Sequence, residues 1–332
     1  MGTQGPAPRG VSAHASAALA VLPPGTVPRA AIAGLLFNAF AWGVSWWPFR
    51  ELEARGLHAL WATVIVYAVG VVALTLWRPA AWALLARSPA LWALALASGA
   101  TNATFNWGVA IGDVVRVVLL FYLMPLWAVL LARLLLGEAL TPRALVRLAL
   151  ALAGAAIVLW PSSPAAGAHG DVGSAASWLP WPRALAEWLG VAGGFAFAMT
   201  NVLLRREAAT SESARALAMF AGGVGVAGGL ALALSGHGAV PWPAAAPSGW
   251  LPGVGLLALW FLAANLALQY GAARVRANVT AVVMVSEVLF ASVSAVALGA
   301  SEVTPALAVG AVLIVGAALL AAWDPDAARG PG

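Results

Sequence analysis

Apolar runs recur along the chain, separated by short segments in which Pro, Gly and Arg are concentrated. About 20 apolar residues at helical rise cross a hydrocarbon core roughly 30 Å thick. A membrane barrel would instead show shorter segments of alternating polarity. The pattern predicts an all-α polytopic membrane protein with ten transmembrane helices, at 30–49, 58–77, 90–111, 115–136, 142–160, 184–204, 214–234, 249–270, 277–298 and 304–323. Arg78-Pro79, Ser88-Pro89, Pro161 to Pro164 and Pro241 to Pro247 punctuate the gaps. Residues 1–29 are too broken by Ser, His and Pro for a signal sequence and are expected as a disordered cytoplasmic tail. The longest connection, 161–183, is expected to link two halves at 30–160 and 184–323, with 324–332 a second cytoplasmic tail.

The halves are related. Shifted by 163 positions, Asn102 to Trp160 lies without a gap on Asn265 to Trp323. Asn102 meets Asn265, Asn106 meets Gln269, Trp107 meets Tyr270 and Gly108 meets Gly271. Thr141-Pro142 meets Thr304-Pro305, pairs that suit the N-cap and first position of each half's last helix. An internal repeat of this length means two homologous units, and in a membrane chain it points to transport. Five helices per unit is an odd number, so the second unit must enter from the opposite side.

Charge bears on that inversion. All 17 basic residues are arginine. With the N-terminus inside, thirteen fall in inside segments and four (Arg50, Arg55, Arg116, Arg183) outside, the bias that orients membrane proteins. Arg143 and Arg147, inside, correspond to Ala306 and Gly310, outside; Ile111 and Asp113, outside, correspond to Arg274 and Arg276, inside. The expected fold is therefore two inverted five-helix repeats. Only 9% of residues are charged and 62% are hydrophobic, which no soluble surface could accommodate. Many of the tryptophans fall near helix ends, as an interfacial belt requires. No nucleic-acid partner is implied by a net charge carried at helix ends, and the absence of cysteine excludes disulfides and thiolate metal sites.

Glu287 is the acid placed at the middle of a predicted span, the ninth, on one face with Thr280 and Ser294. A charge at that depth is costly, so such a group faces a cavity or a partner and is a candidate for loading and releasing a proton. The bland alternative is a neutral carboxyl bonding two helices. Asn102 and Asn106, with Asn265 and Gln269 at the repeat-equivalent positions, are candidates to line a substrate cavity; helix–helix hydrogen bonds are the competing reading. Asn38 and Trp42 share a face of the first span with Ser45, and Trp42 would either stack on substrate or simply pack. Tyr122 and Pro125 stand in the fourth span, where a proline frees a carbonyl and kinks the helix in a way compatible with gating. Asp113 and Arg116 are expected to pair at the surface, and Glu138 to be solvated. The four histidines lie in tails or loops without metal-ligand spacing, so neither metal nor cofactor is expected.

Phe121-Tyr122-Leu123-Met124-Pro125, Leu136-Gly137-Glu138-Ala139-Leu140-Thr141-Pro142 and Gly154-Ala155-Ala156-Ile157-Val158 come in an order that resembles the EamA repeat of the drug/metabolite transporter superfamily. The resemblance spans all ten predicted helices and is strongest in the second part of each half. It implies a bacterial inner-membrane permease with both termini cytoplasmic and a central cavity between inverted halves, similar to exporters of amino acids and related metabolites, many exchanging substrate for protons. Two features depart from the family. No arginine occurs early in the second helix, between Leu60 and Val66, and Glu287-Val288 replaces the Met124-Pro125 of the first repeat.

The expected function is proton-coupled export of a small polar metabolite by alternating access. Glu287 would carry the proton, the four amides and Asn38 would hold polar groups, and Trp42, Tyr122 and Tyr270 the apolar part. Substrate, protons and the bilayer are the expected partners, and a homodimer is compatible with the pattern. An uncoupled facilitator or channel on the same fold is the alternative. A membrane-embedded enzyme would need a cluster of acids, histidines or metal ligands that the sequence lacks.

Overall fold

The computed structural model describes residues 29–136, 142–158, 181–207, 209–272, 280 and 283–322. The expected tails and most of the expected linker lie outside the described residues, as do Glu138, Thr141, Trp160 and Trp323. Among the described residues the secondary structure is helical, without strands. The helices are α1 (Arg29–Gly43), α2 (Trp46–Ala54), α3 (Ala59–Trp77), α4 (Ala81–Arg87), α5 (Pro89–Ile111), α6 (Val114–Phe121) and α7 (Met124–Leu136). They continue with α8 (Pro142–Val158), α9 (Leu185–Arg206), α10 (Glu212–Gly236), α11 (Leu251–Ala272), α12 (Ser286–Ala297) and α13 (Pro305–Ala322).

Among the described residues, six segments are long and apolar enough to cross a membrane, or seven if the α4–α5 pair, bent by 99°, is one span. The expected fifth, ninth and tenth spans hold shorter apolar helices, so length and composition support a multi-pass protein without reaching ten spans. Two of the expected spans are broken. The first divides at Val44–Ser45 and the fourth at Tyr122–Leu123. Both breaks follow from proline. Pro48 has no N–H to return to the carbonyl of Val44, nor Pro125 to that of Phe121, so α1 stops five residues before its proline and α6 four.

The halves interdigitate, and the contacts come in repeat-related pairs. α5 packs on α9 as α11 packs on α1; α5 packs on α10 as α11 packs on α3; α8 meets α13 and α3 meets α10. Gly108 and Gly271 occupy equivalent places in this scheme. A Cβ on Gly271 would lie 2.7 Å from the Ala31 carbonyl of α1, and one on Gly108 would lie 3.4 Å from the Ala186 carbonyl of α9. The tightest crossing joins α5 to α10, where Gly222 backs directly onto the carbonyl of Ala95, and Gly99 onto that of Gly222. Close backbone approach of this kind is how helices associate where lipid removes the hydrophobic incentive.

Candidate functional site

The site is built from helix breaks that meet. α12 is preceded by helical residues at 283–284 and a turn at Val285. The shift of 163 carries Tyr122 onto Val285, so the fourth and ninth spans break at equivalent positions. No proline causes the second break. Instead Val288 N–H bonds the Val285 carbonyl, 3.1 Å away, in a tightened turn. That choice leaves the Met284 carbonyl without its i+4 partner, and the Tyr122 hydroxyl donates to it at 3.2 Å. The same hydroxyl lies 3.5 Å from Glu287 Oε2.

Glu287 is partly buried and sits in the first turn of α12, where backbone N–H groups have no intrahelical partner. The α1–α2 break closes the site from the other side. A Cβ on Gly43 would stand 2.8 Å from the Glu287 carbonyl. The Ser45 hydroxyl donates to the Trp42 carbonyl at 2.7 Å. Trp46 Nε1 then donates to Ser294 Oγ at 3.0 Å, tying α2 to α12. Three interrupted helices thus meet at Glu287, with Tyr122 at its carboxyl and Gly43 at its backbone, a geometry that membrane proteins tolerate where irregular backbone is enclosed by protein or lines a water-filled cavity. The expected Thr280–Glu287–Ser294 stripe divides in the structure. Ser294 holds Trp46, whereas Thr280 Oγ1 is buried without a hydrogen-bond partner.

The expected amides sit in the packed centre. Asn38, wholly buried in α1, donates Nδ2 to the Ala264 carbonyl of α11 at 2.8 Å, a bond between the halves. Asn102 donates to the Ser98 carbonyl at 2.8 Å while its Oδ1 accepts from the Tyr67 hydroxyl. Asn106, wholly buried, donates to Thr63 Oγ1 at 3.0 Å. Asn265 donates to the Phe261 carbonyl at 2.9 Å and shares with Tyr67 a crevice of about 10 Å³, room for about one water. Asn102 and its repeat equivalent Asn265 therefore both come up to Tyr67, which the sequence did not single out. Trp42 packs between Phe105 of α5 and Phe261 of α11, with centroids 6.4 and 4.5 Å away. Tyr270 is 41% exposed, apart from this centre. The side chains of Gln269 and Pro125 lie outside the description.

A second polar group occupies the helix ends at Asp113. Asp113 and Arg116 do not pair side chain to side chain as expected. Asp113 Oδ1 instead caps α6 by accepting from the Arg116 N–H at 2.8 Å, and its Oδ2 accepts from Ser301 Oγ at 2.6 Å. The Arg116 guanidinium instead reaches Glu187 of α9 at 2.8 Å. Glu187 Oε2 also accepts from the backbone N–H of Arg183 at 2.7 Å. Asp113, Arg116 and Glu187 line a cavity of about 450 Å³ together with Glu302 and Thr304. Glu187 was legible only as an acid in a helix's first turn. His58, expected in a loop, is buried, and its Nδ1 caps α3 by accepting from the Leu60 N–H at 3.2 Å.

Among the described residues no group of three or more acids and histidines is placed to hold a metal. No curated protein matches the chain. A solved structure described only as "Crystal structure of protein" is similar over 88% of this chain and 96% of its own, with a TM-score of 0.49 and 18% identity. Residues 29–160, which contribute the α1–α2 and α6–α7 breaks, match the EamA-like transporter family, which belongs to the drug/metabolite transporter superfamily.

Proposed function

We propose that the protein is a secondary active transporter of the drug/metabolite type that exports a small polar metabolite, such as an amino acid, in exchange for protons. The family match supports a transporter. The observation that carries the coupling is Glu287, a carboxyl at the meeting of three interrupted helices and within reach of the Tyr122 hydroxyl. Broken helices that meet between repeats are where transporters bind substrate and coupling ions. Glu287 takes the proton in this reading, and substrate competes with it.

Asn38, Asn102, Asn106, Asn265 and Gln269 hold the substrate's polar groups as the halves rock apart, with Trp42, Tyr122 and Tyr270 against its apolar part. The Pro125 break gives the hinge between α6 and α7. The two repeats are inverted, with both termini in the cytoplasm of a bacterium and the protein in its inner membrane.

Glu287→Gln tests the coupling. The amide keeps the shape and bonds of a neutral carboxyl but exchanges no proton. Flux driven by an imposed pH gradient in inverted vesicles should collapse, while substrate exchange without a gradient survives. Unchanged gradient-driven flux would remove Glu287 from the mechanism and leave an uncoupled facilitator.

A further inference from the structure

The buried amides carry information about the solute, through which of their atoms are already used. Each amide's orientation is fixed by the chemistry of its partner. Asn38 faces a backbone carbonyl, which can only accept, so its Nδ2 must point there. Asn102 and Asn265 likewise face the carbonyls of Ser98 and Phe261. For Asn106 the partner is a hydroxyl, but Thr63 has already given its proton to the Ala59 carbonyl at 2.8 Å. The Thr63 oxygen must therefore accept from Asn106 Nδ2.

Each Nδ2 thus already has an acceptor, whereas two of the amide oxygens have no donor. Asn38 Oδ1 and Asn106 Oδ1 are buried without any hydrogen-bond partner, in residues with no exposed surface at all. Buried polar atoms are paired in the great majority of cases, and an orphan calls for an explanation. Trp42, one turn from Asn38, packs its ring on Phe105, the neighbour of Asn106, and its chain runs on to Gly43 against the Glu287 backbone. Buried donors without a partner also occur, the Thr280 hydroxyl and Trp127 Nε1 among them, but the Trp127 ring belongs to the α7–α9 face, packed against Leu131, Ala198 and Val202.

We propose that the transported solute is recognised through N–H donors, as a protonated primary amine or guanidinium, by the carbonyl oxygens of Asn38 and Asn106. This rests on the transporter reading above and narrows it. Of an amino acid's two charged ends, the ammonium enters the amide-lined centre, and a solute carrying only a carboxylate is not bound. A quaternary ammonium has the charge but no N–H, so it separates hydrogen bonding from attraction to Glu287.

The test uses the full chain in detergent at fixed pH without a gradient, with butylammonium, butyltrimethylammonium and butyrate as probes. Binding is read from concentration-dependent thermal stabilisation. Butylammonium should bind about tenfold tighter than butyltrimethylammonium, the worth of one charge-assisted hydrogen bond, and butyrate should not stabilise. The preference should persist in Glu287→Gln, so that it survives even if the coupling role of Glu287 fails. In Asn106→Leu it should shrink towards parity. That change leaves no donor stranded, because the Thr63 proton remains on Ala59. Equal binding of the primary and quaternary ions, stabilisation by butyrate, or no stabilisation by butylammonium would each overturn the proposal. The wild-type panel decides these outcomes even if Asn106→Leu does not fold.

Discussion

The Arg116–Glu187 pair joins α6 of the first half to α9 of the second, at a distance of 2.8 Å. If α6 and α9 part when the 450 Å³ cavity opens further, this bond must break first. Glu187→Gln removes the negative charge but keeps an oxygen for the Arg183 N–H, so the start of α9 should persist. A hydrogen bond to a charged group contributes about 1.5–3 kcal/mol when well shielded. The Glu187 side chain is 11% exposed but that of Arg116 is 32%, so water and salt recover part of this and about 1 kcal/mol remains. That amounts to roughly a fivefold rise in the open population. The chain has no cysteine, so a single reporter can be introduced without background. Leu307 lines the cavity and is 6% exposed, and Leu307→Cys should react with a membrane-impermeant maleimide only when that end opens. The rate should rise about fivefold in Glu187→Gln and no further when Arg116→Gln is added, since one bond cannot be lost twice. An unchanged rate, or additive effects of the two substitutions, would refute the reasoning.

Tyr122→Phe strands the Met284 carbonyl and releases Glu287, so the thermal midpoint should fall by the equivalent of about 1–2 kcal/mol and gradient-driven flux should drop with it; a variant as active and stable as wild type would separate Tyr122 from the site. Gly222→Ala should cost about 1–3 kcal/mol by forcing α10 off the Ala95 carbonyl, whereas Gly225→Ala, which meets open space, should be neutral or slightly stabilising in thermal unfolding. Burial lowers the His58 pKa from its usual 6.5, with Glu53 Oε1 the facing acid, 3.9 Å from Nε2. The unfolded chain takes that proton first, so stability should be full above the unfolded value and decline as pH falls through it; His58→Asn, which also caps, should flatten the slope. Reporter fusions at 210 and at the C-terminus should face one side and a fusion at Gly238 the other, and agreement of all three would sink the inverted topology.

The sequence displayed most of the scaffold because membrane helices announce themselves by length and apolarity, and because a proline four residues past a carbonyl predicts a break. The Pro125 break was legible on that basis, and the Pro48 break could have been. The break at Val285 was not, since it is a tightened turn without a proline, its freed carbonyl taken by a hydroxyl distant in sequence. The same limit explains Asp113 and Arg116. Three residues apart, they look like a local pair, but the cap at Asp113 turns Arg116 towards a carboxylate 71 positions away. Local spacing says which residues are neighbours on a helix; it does not say which neighbour has already been claimed. The amides were found by repeat equivalence, while Tyr67, to which two of them come, has no repeat signal to betray it.

The halves are alike in their contacts and unlike in their chemistry at one place. At the break of the fourth span stand Met124 and Pro125; at the equivalent break of the ninth stand Glu287 and Val288. Proline makes the first break independent of its surroundings, because no partner can restore the missing N–H. Val288 has its N–H and could close a regular turn on Met284, but it bonds Val285 instead, and the Met284 carbonyl accepts from Tyr122 of the other half. The carboxyl is thus attached to the break whose freed carbonyl is taken by the other half of the protein. Separating the halves would remove the Tyr122 hydroxyl from both Met284 and Glu287 at once. In the proposed mechanism, a rocking motion between repeats would then be coupled to the environment of Glu287 through a single side chain, as exchange of a proton against a solute in alternation requires.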